Sequence, residues 1–495
     1  MSLYPATEML LAGWSSADIT PEGPVLLAGQ FHARVMEKVN TPVTATVLAL
    51  ESVRGETREG LIWVSCDLVT ISDSFRSMVR DGVIGRIPGF MPGNIILNAT
   101  HTHTAPEVRQ EKDVSSMGGG NVPPMFPLEL PAMKQAEYIA FAAARIADAV
   151  AVAWARREPS GIGFGLGHAV VGYNRRVCYL NGECRMYGKT DDPAFSHIEG
   201  HEDHGVNVLA VWNRLGRLTG VVVNVACPSQ ATEHLFELSA DYWHETRLEL
   251  RRRFGQELHI LAQCSAAGDQ SPHVQVNKAA EERMWRLAGR TERQDIGVRI
   301  ANAVSAALPL IERDIAWAPA FAHTLDVMQL KRRNLTEEDV RAASAEAARI
   351  RTEYEALMAE LKAHPEKQQE ARWYTAVTSA YRRMRWNEGV ADRFEIEKTQ
   401  PTVPAEVHVV RLGDMAFVTC PFEYYLDFGQ RIKARSKAVQ TFVVQLAGSG
   451  TYLPTERAIA GKSYGAVAAS TPVGPEGGQQ IVETAVEIIA GFWRA

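Results

Sequence analysis

The sequence has little cysteine and no cysteine motif: six residues in 495, Cys66, Cys178, Cys184, Cys227, Cys264 and Cys420, with no CxxC pair. Most lie in apolar stretches such as WVSCDLV and AFVTCPF. That argues against a disulfide frame and predicts reduced, buried thiols. An excess of positive charge is also missing. Lys+Arg number 52 against 58 Asp+Glu, a net charge of -6, so the overall balance does not draw the chain to nucleic acid or anionic lipid. No run of about 18 apolar residues occurs, and the start, MSLYPATEMLLAGWSSADIT, lacks a basic region followed by a long apolar stretch. These absences predict a cytoplasmic protein with no nucleic-acid partner and no stable membrane insertion. There is also no GxSxG nucleophile elbow, no internal repeat and no low-complexity linker.

What is present is an ordinary globular composition, 46% hydrophobic and 22% charged, long enough for up to three domains by length alone. Without a linker, one interwoven domain over 1–495 is expected. TPVTATVLALES, EGLIWVSCDLV and NIILNAT read as strands, the last ending directly in His101-Thr-His103. Residues 111–131 form a Gly/Pro-rich stretch long enough to act as a lid or pocket wall. AEYIAFAAARIADAVAVAWARRE reads as an Ala-rich amphipathic helix. From 160 to 275, strand patterns alternate with the helical ADYWHETRLELRRRFG. The fold class expected from this alternation is α/β, a mixed β-sheet core flanked by helices. NLTEED signals a helix start at Thr336, and the break at Pro365 predicts a helical hairpin over 334–400. This hairpin is expected to be an insertion on the surface or a dimerisation arm, which makes a homodimer possible, with a lid over the active site as the alternative.

Three places have residues suited to chemistry. His101 and His103 are two apart at the end of an extended segment, so both rings can face one side of the strand, as two ligands or a ligand and a proton-transfer group require. FSHIEGHEDHGVNV gathers His197, His201, Glu202, Asp203 and His204, but a polar run before a strand is ordinarily a solvated loop. In QCSAAGDQSPH, Gly268 gives conformational freedom, Asp269 accepts hydrogen bonds, and Ser271 stands where a strand hands over to a loop. Such a serine is ordinarily a turn serine.

Taken in order, GWSSADITP, NATHTHTAPE, YNRRV, SADYW, QCSAAGDQSPH, CPFEYY and GTYLPTERAIAGKSYGA resemble the neutral/alkaline non-lysosomal ceramidase family, whose members are zinc amidases. The resemblance spans most of residues 10–490, interrupted by 334–400, and implies a ceramidase-like catalytic domain. It implies that His101 is a ligand of Zn2+ or another divalent metal, and that His103 is the active-site histidine beside it. Glu423 in CPFEYY matches the ligand glutamate and Tyr452 in GTYLPT the ligand tyrosine. Tyr464 in SYGA matches the tyrosine that helps polarise the scissile carbonyl, Arg175 in YNRRV the Asn-Arg arginine, and Ser271 the serine of Gly-Asp-x-Ser-Pro. The family's second zinc histidine has no counterpart, because the chain reads VVVNVACPSQATEHL with Cys227 followed at once by Pro228. Cys227, Gln230 or His234 replaces it, or the metal keeps three protein ligands, or metal binding is lost.

The function implied is metal-dependent hydrolysis of an amide bond in a small or moderately polar substrate. The metal polarises the carbonyl, His103 serves as general base and then acid, Tyr464 and Arg175 stabilise the oxyanion, and Ser271 positions water or substrate. Ceramide is a poor fit. The members that cleave it are secreted or membrane-associated and carry a C-terminal immunoglobulin-like domain, which is not expected here. The alternatives are hydrolysis of an ester, lactone or sugar derivative, or ligand binding without catalysis.

Overall fold

Segments rich in Val, Leu and Ala, Glu8–Asp18 (β1), Thr44–Arg54 (β2) and Thr57–Cys66 (β3), pair in antiparallel register. Ile95–Ala99 (β4) then adds parallel to β3. The computed structural model describes residues 8–110, 113 and 126–494. On the other side of β1 lie Glu158–His168 (β5), Gly205–Asn213 (β8) and Leu218–Val225 (β9), antiparallel in turn, and His259–Cys264 (β10), parallel to β9. The result is a mixed eight-stranded sheet in the order β10-β9-β8-β5-β1-β2-β3-β4. Between β5 and β8, Arg176–Tyr179 (β6) and Cys184–Met186 (β7) form a small hairpin.

A second sheet has the order β11-β12-β13-β14, built from Phe321–Lys331, Thr402–Leu412, Met415–Thr419 and Gln440–Val444. The two sheets face each other. Trp14, Leu48, Trp63 and Leu209 of the first pack with Leu412, Phe417 and Phe442 of the second in one buried cluster. Helices cover the outer faces: Asp73–Val83 (α1) and Gln135–Ala155 (α2) on one half of the large sheet. Tyr242–Phe254 (α3) and Glu292–Ile311 (α4) cover the other half. Leu426–Arg435 (α7) and Pro475–Phe492 (α8) cover the second sheet. Strands covered on both sides have no solvent face, which is why β2 and β3 read as apolar runs rather than as alternating patterns. The helix α2 is long and apolar enough to cross a membrane by length and composition, with a mean hydropathy of 1.5. Here its apolar positions, Tyr138, Ile139, Ile146 and Val150 among them, pack into the core.

The hairpin over 334–400 forms as Glu337–Ala363 (α5) and Thr375–Glu397 (α6), with a short 3-10 turn beginning at Pro365. Thr336 caps α5, its side chain accepting from the Asp339 amide while the Asp339 carboxylate accepts from the Thr336 amide. The hairpin is no free arm. Along α6, the Tyr374 hydroxyl accepts from Val35 N at 3.2 Å, the Thr378 hydroxyl accepts from Ala33 N at 3.0 Å, and Arg382 donates to the Gln30 carbonyl at 2.8 Å. Arg372, just before the helix, pairs with Glu37 at 2.7 Å. This face therefore clamps the segment 30–37, which also lines the cluster described below.

The cysteines depart from the expectation of uniform free thiols. Cys66, Cys227, Cys264 and Cys420 are free and buried, whereas Cys178 and Cys184 form a disulfide. They are directly opposed in the β6–β7 hairpin, a juxtaposition that no sequence motif announced. Of the 111–131 stretch, residues 111–112 and 114–125 lie outside the described residues. Phe126, Leu128 and Leu130 pack beside Ala33, Val35 and Phe236, and the Arg382 guanidinium lies over the Phe126 ring at 4.0 Å.

Candidate active site

Where β4 ends, the chain turns rather than continuing as a strand. His101 has φ 65°, in the left-handed region that non-glycine residues seldom occupy. The two rings are close, as expected, with centroids 4.7 Å apart, but the approach comes from this turn and not from strand alternation. The His101 Nδ1 lies 2.6 Å from the carbonyl oxygen of Val69. A carbonyl can only accept, so Nδ1 carries the proton. The other ring nitrogen, Nε2, stands 3.3 Å from Glu423 Oε2 and 3.2 Å from His103 Nε2.

Glu423 follows the Pro421-Phe422 turn after β13 and pairs in parallel register with Tyr452. Its position depends on Gly268, since a Cβ there would meet the Glu423 carbonyl oxygen at 2.4 Å. Burial alone would raise the Glu423 pKa, but His101, Arg175 and a hydrogen bond from Tyr452 hold it below the ordinary carboxylate range. Burial raises Tyr452 well above 10, with the Glu423 charge adding to the effect. Arg175 donates through Nη2 to the Tyr452 hydroxyl at 3.2 Å and the Gly268 carbonyl at 2.9 Å, and through Nη1 to Gln230 Oε1 at 3.3 Å. The turn containing Asp269 fixes this arginine, because Asp269 O accepts from Arg175 N at 3.0 Å. Tyr464 packs edge-on against Tyr452 at 5.3 Å and Phe31 at 5.7 Å, and lies 5.6 Å from Trp386 of α6.

His103 has a different set of partners. Gln230 Nε2 lies 2.7 Å from His103 Nε2, and since Gln230 Oε1 faces Arg175, the amide nitrogen is the donor. Glu233 Oε2 is 3.3 Å from Nδ1, long and oblique for a hydrogen bond. Burial lowers the His103 pKa to about 4, so the ring is neutral at pH 7. Gly29, at φ 97°, lets the backbone pass over this ring, where a Cβ would come within 2.6 Å. The cavity at the centre measures about 80 Å3 and is lined by Gly29, Phe31, His101, Arg109, Glu423 and Tyr464 among others. A larger groove of about 870 Å3 lies elsewhere, beside Phe90, Trp154 and His323. It contains none of the residues that resemble an active centre, so size alone does not locate the site.

Not every expected residue joins. Ser271 is fully buried and its hydroxyl accepts from Tyr187 Oη at 3.0 Å and His273 N at 3.1 Å. It reaches Arg175 only through the Tyr187 hydroxyl, to which Arg175 Nη1 donates at 3.3 Å. The Cys227 thiol donates to the Val171 carbonyl at 3.1 Å within the apolar cluster under α3 and α4, and burial pushes its pKa well up. The His234 side chain is exposed. Neither contributes to the histidine pair; Gln230 and Glu233 do. Glu233, Tyr187, His273, Arg109 and Trp386 escaped the sequence reading, and for Glu233 the one signal was its place beside His234 in ATEHL. The 197–204 cluster is only in part the loop expected: His197 lies on the short strand Phe195–Ile198 and, like His201, is exposed, while Glu202 pairs with His204 and Asp203 with Lys433.

The donor set fits a metal on one side of the pocket. Ligand atoms on a tetrahedral ion at about 2.0–2.1 Å stand roughly 3.3–3.4 Å from one another, which matches the His101–Glu423 contact of 3.3 Å. Tyr452, paired in register with Glu423, is the third candidate donor, whereas the Gln230 amide is taken up by His103 and Arg175. Among the described residues, the His/Cys/Asp/Glu group tight enough to enclose an ion is Cys178, Cys184 and Glu199, but there the disulfide removes both thiolates.

A second ionic line leaves His103. Glu233 Oε1 is 3.3 Å from His273 Nε2, and His273 Nδ1 is 3.4 Å from Glu292 Oε1. Burial opposes charge on His273, but the two carboxylates outweigh it and raise its pKa from 6.5 to about 10. A raised folded-state pKa gives stability that is complete below pH 6.5 and lost as pH climbs through about 10. The melting temperature of the parent should therefore fall more steeply between neutral pH and pH 10 than that of His273→Gln. Parallel slopes would refute the charged state.

No protein-family model matches the chain, and no curated protein is similar to it in sequence. Solved structures do share its fold. The neutral ceramidase from Pseudomonas aeruginosa superposes with a TM-score of 0.68 at 15% identity, over 98% of this chain and 75% of that one. A ceramidase complexed with C2 gives a TM-score of 0.67 at 13% identity, over 98% and 76% of the two chains. At these identities the likeness establishes the fold, a divergent ceramidase-like one.

Proposed function

We propose, for a chain with the fold of the neutral ceramidases, that it is a metal-dependent hydrolase of an amide bond in a small or moderately polar substrate. The observation that carries this is the approach of His101 Nε2 to the Glu423 carboxylate at 3.3 Å, with Tyr452 paired in register beside Glu423. Bound by those three side chains, a divalent ion supplies Lewis-acid polarisation of the scissile carbonyl. The chain's own residues do the rest. Tyr464 lines the cavity beside Tyr452, with Arg175 behind donating to the Tyr452 hydroxyl, and these groups face the negative charge that develops on the carbonyl oxygen. His103 Nε2 takes the proton of the attacking water as the C–O bond forms, then returns it to the departing amine nitrogen as the C–N bond breaks. Gln230 covers that nitrogen at rest, so substrate or water displaces its amide. A cavity of about 80 Å3 is below the roughly 300–1,000 Å3 of ordinary ligand clefts, which favours a compact substrate over ceramide.

Protein purified without chelator should contain one equivalent of a divalent metal, lose melting temperature on dialysis against EDTA and regain it with zinc, while His101→Ala shows no response. A panel of small amides, esters and glycosides then identifies the bond. Absence of a metal response in the parent would sink the metal-dependent reading, and ceramide turnover as fast as that of small amides would sink the small-substrate one. One observation favours a second reading, ligand binding without turnover: the Gln230 amide occupies the Nε2 lone pair of His103, the ring assigned as base. In that case, Gln230→Ala leaves the parent's lack of turnover unchanged.

A further inference from the structure

Glu233 belongs to none of the motifs that point to the site, yet its side chain touches the ring at the centre of it. Its carboxylate spans two histidines, with Oε2 3.3 Å from His103 Nδ1 and Oε1 3.3 Å from His273 Nε2. Gln30 Nε2 donates to Oε2 at 3.3 Å. The backbones are tied as well as the side chains. Arg34, wholly buried, donates through Nη1 to the Glu233 carbonyl at 2.6 Å and through Nη2 to the His103 carbonyl. One guanidinium therefore holds both residues while the carboxylate faces the imidazole. Behind it, His273 is tethered to Glu292, the first residue of α4, at 3.4 Å.

We infer that Glu233 is a positioning residue: its carboxylate orients the His103 ring, keeps the proton on Nδ1 and leaves Nε2 as the base, with His273 and Glu292 as its anchor. A carboxylate behind a working imidazole fixes both tautomer and ring angle, the arrangement that makes such outer partners matter to rate. The present 3.3 Å contact is long for a hydrogen bond, and resting sites of this kind tighten when substrate binds. The inference rests on the hydrolase reading for what His103 does, whereas the orientation itself is independent of turnover.

The test uses the purified full-length chain as Glu233→Gln, which keeps shape and removes charge, and Glu233→Asp, which keeps charge on a shorter arm. Two readouts are taken: kcat and KM on the best small amide of the parent, and the downfield imidazole N–H proton resonance of His103, assigned by its loss in His103→Asn. Glu233→Gln should lower kcat about 10–100-fold with KM within about twofold, shift or abolish that resonance, and keep the parent's melting temperature within a few degrees. Glu233→Asp should recover part of both signals, and His273→Gln should weaken the resonance without abolishing it. The inference is overturned if Glu233→Gln keeps both kcat and the resonance, or if it loses activity only in proportion to its folded fraction. If the parent turns over no amide, the hydrolase reading fails on its own, and the resonance alone then decides whether Glu233 orients His103.

Discussion

Tyr464→Phe should lower kcat about 10²–10³-fold, the loss typical of removing one oxyanion donor, while leaving the fold intact. The ring makes the packing contacts, edge-on to Tyr452 and Phe31 and 5.6 Å from Trp386, and all of these survive the change. What disappears is one hydroxyl. Burial pushes its pKa up to about 12, so at neutral pH it is a donor and not a phenolate. A donor aimed at charge that develops during reaction binds the ground state weakly, so KM should move little. Steady-state kinetics on the parent's best amide, with a melting curve as control, checks this. A kcat within threefold of the parent would remove Tyr464 from the machinery and shift the oxyanion role to Arg175 alone. Trp386→Ala provides a control on the packing, since it removes a neighbour of Tyr464 without touching the hydroxyl.

The largest expected loss of stability comes from Asp67, wholly buried just past the end of β3. It accepts from both terminal nitrogens of Arg247 on α3, at 2.7 and 2.9 Å, and from the Thr44 amide at 2.9 Å and the Thr44 hydroxyl at 3.0 Å. Asp67→Ala leaves a buried guanidinium without its counter-charge, a situation that costs about 3–5 kcal/mol. The consequence reaches the site, because Thr100 N donates to the Cys66 carbonyl at 2.9 Å and Thr102 N to that of Leu68 at 3.0 Å. Loosening this strand end frees the turn that carries His101. Denaturant unfolding followed by circular dichroism measures the loss, and the double variant Asp67→Leu/Arg247→Met should recover most of it, since an apolar pair of similar volume replaces a buried ion pair with little penalty. A double variant no more stable than Asp67→Ala would place the loss in the Thr44 contacts instead.

The site was legible unevenly. The residues of the ordered motifs, His101, His103, Arg175, Glu423, Tyr452 and Tyr464, do converge, although they come from four separate stretches of the chain. Which side chain of the 226–234 turn reaches the histidine pair was not legible. ACPSQATEH offered Cys227, Gln230 and His234, and the fold buries the thiol against Val171, exposes the imidazole, and brings in Gln230 with the unremarked Glu233. Within a turn, which side chain faces inward is set by what the turn packs on, here Arg34 and His273, which are remote in sequence.

By itself the sequence determined the elements and their order: strands without a polar face, the Thr336 cap, the break at Pro365, and a histidine pair where a buried strand stops. Those follow from interactions within a few residues, which local propensity and periodicity record. Tertiary structure alone decided that two sheets stack, that Cys178 meets Cys184, that α6 clamps the 30–37 segment beside Tyr464, and that a carboxylate stands behind His103. Each of these depends on surfaces brought together across the chain, where the free energy of burial and charge pairing selects among faces that the local sequence leaves equivalent.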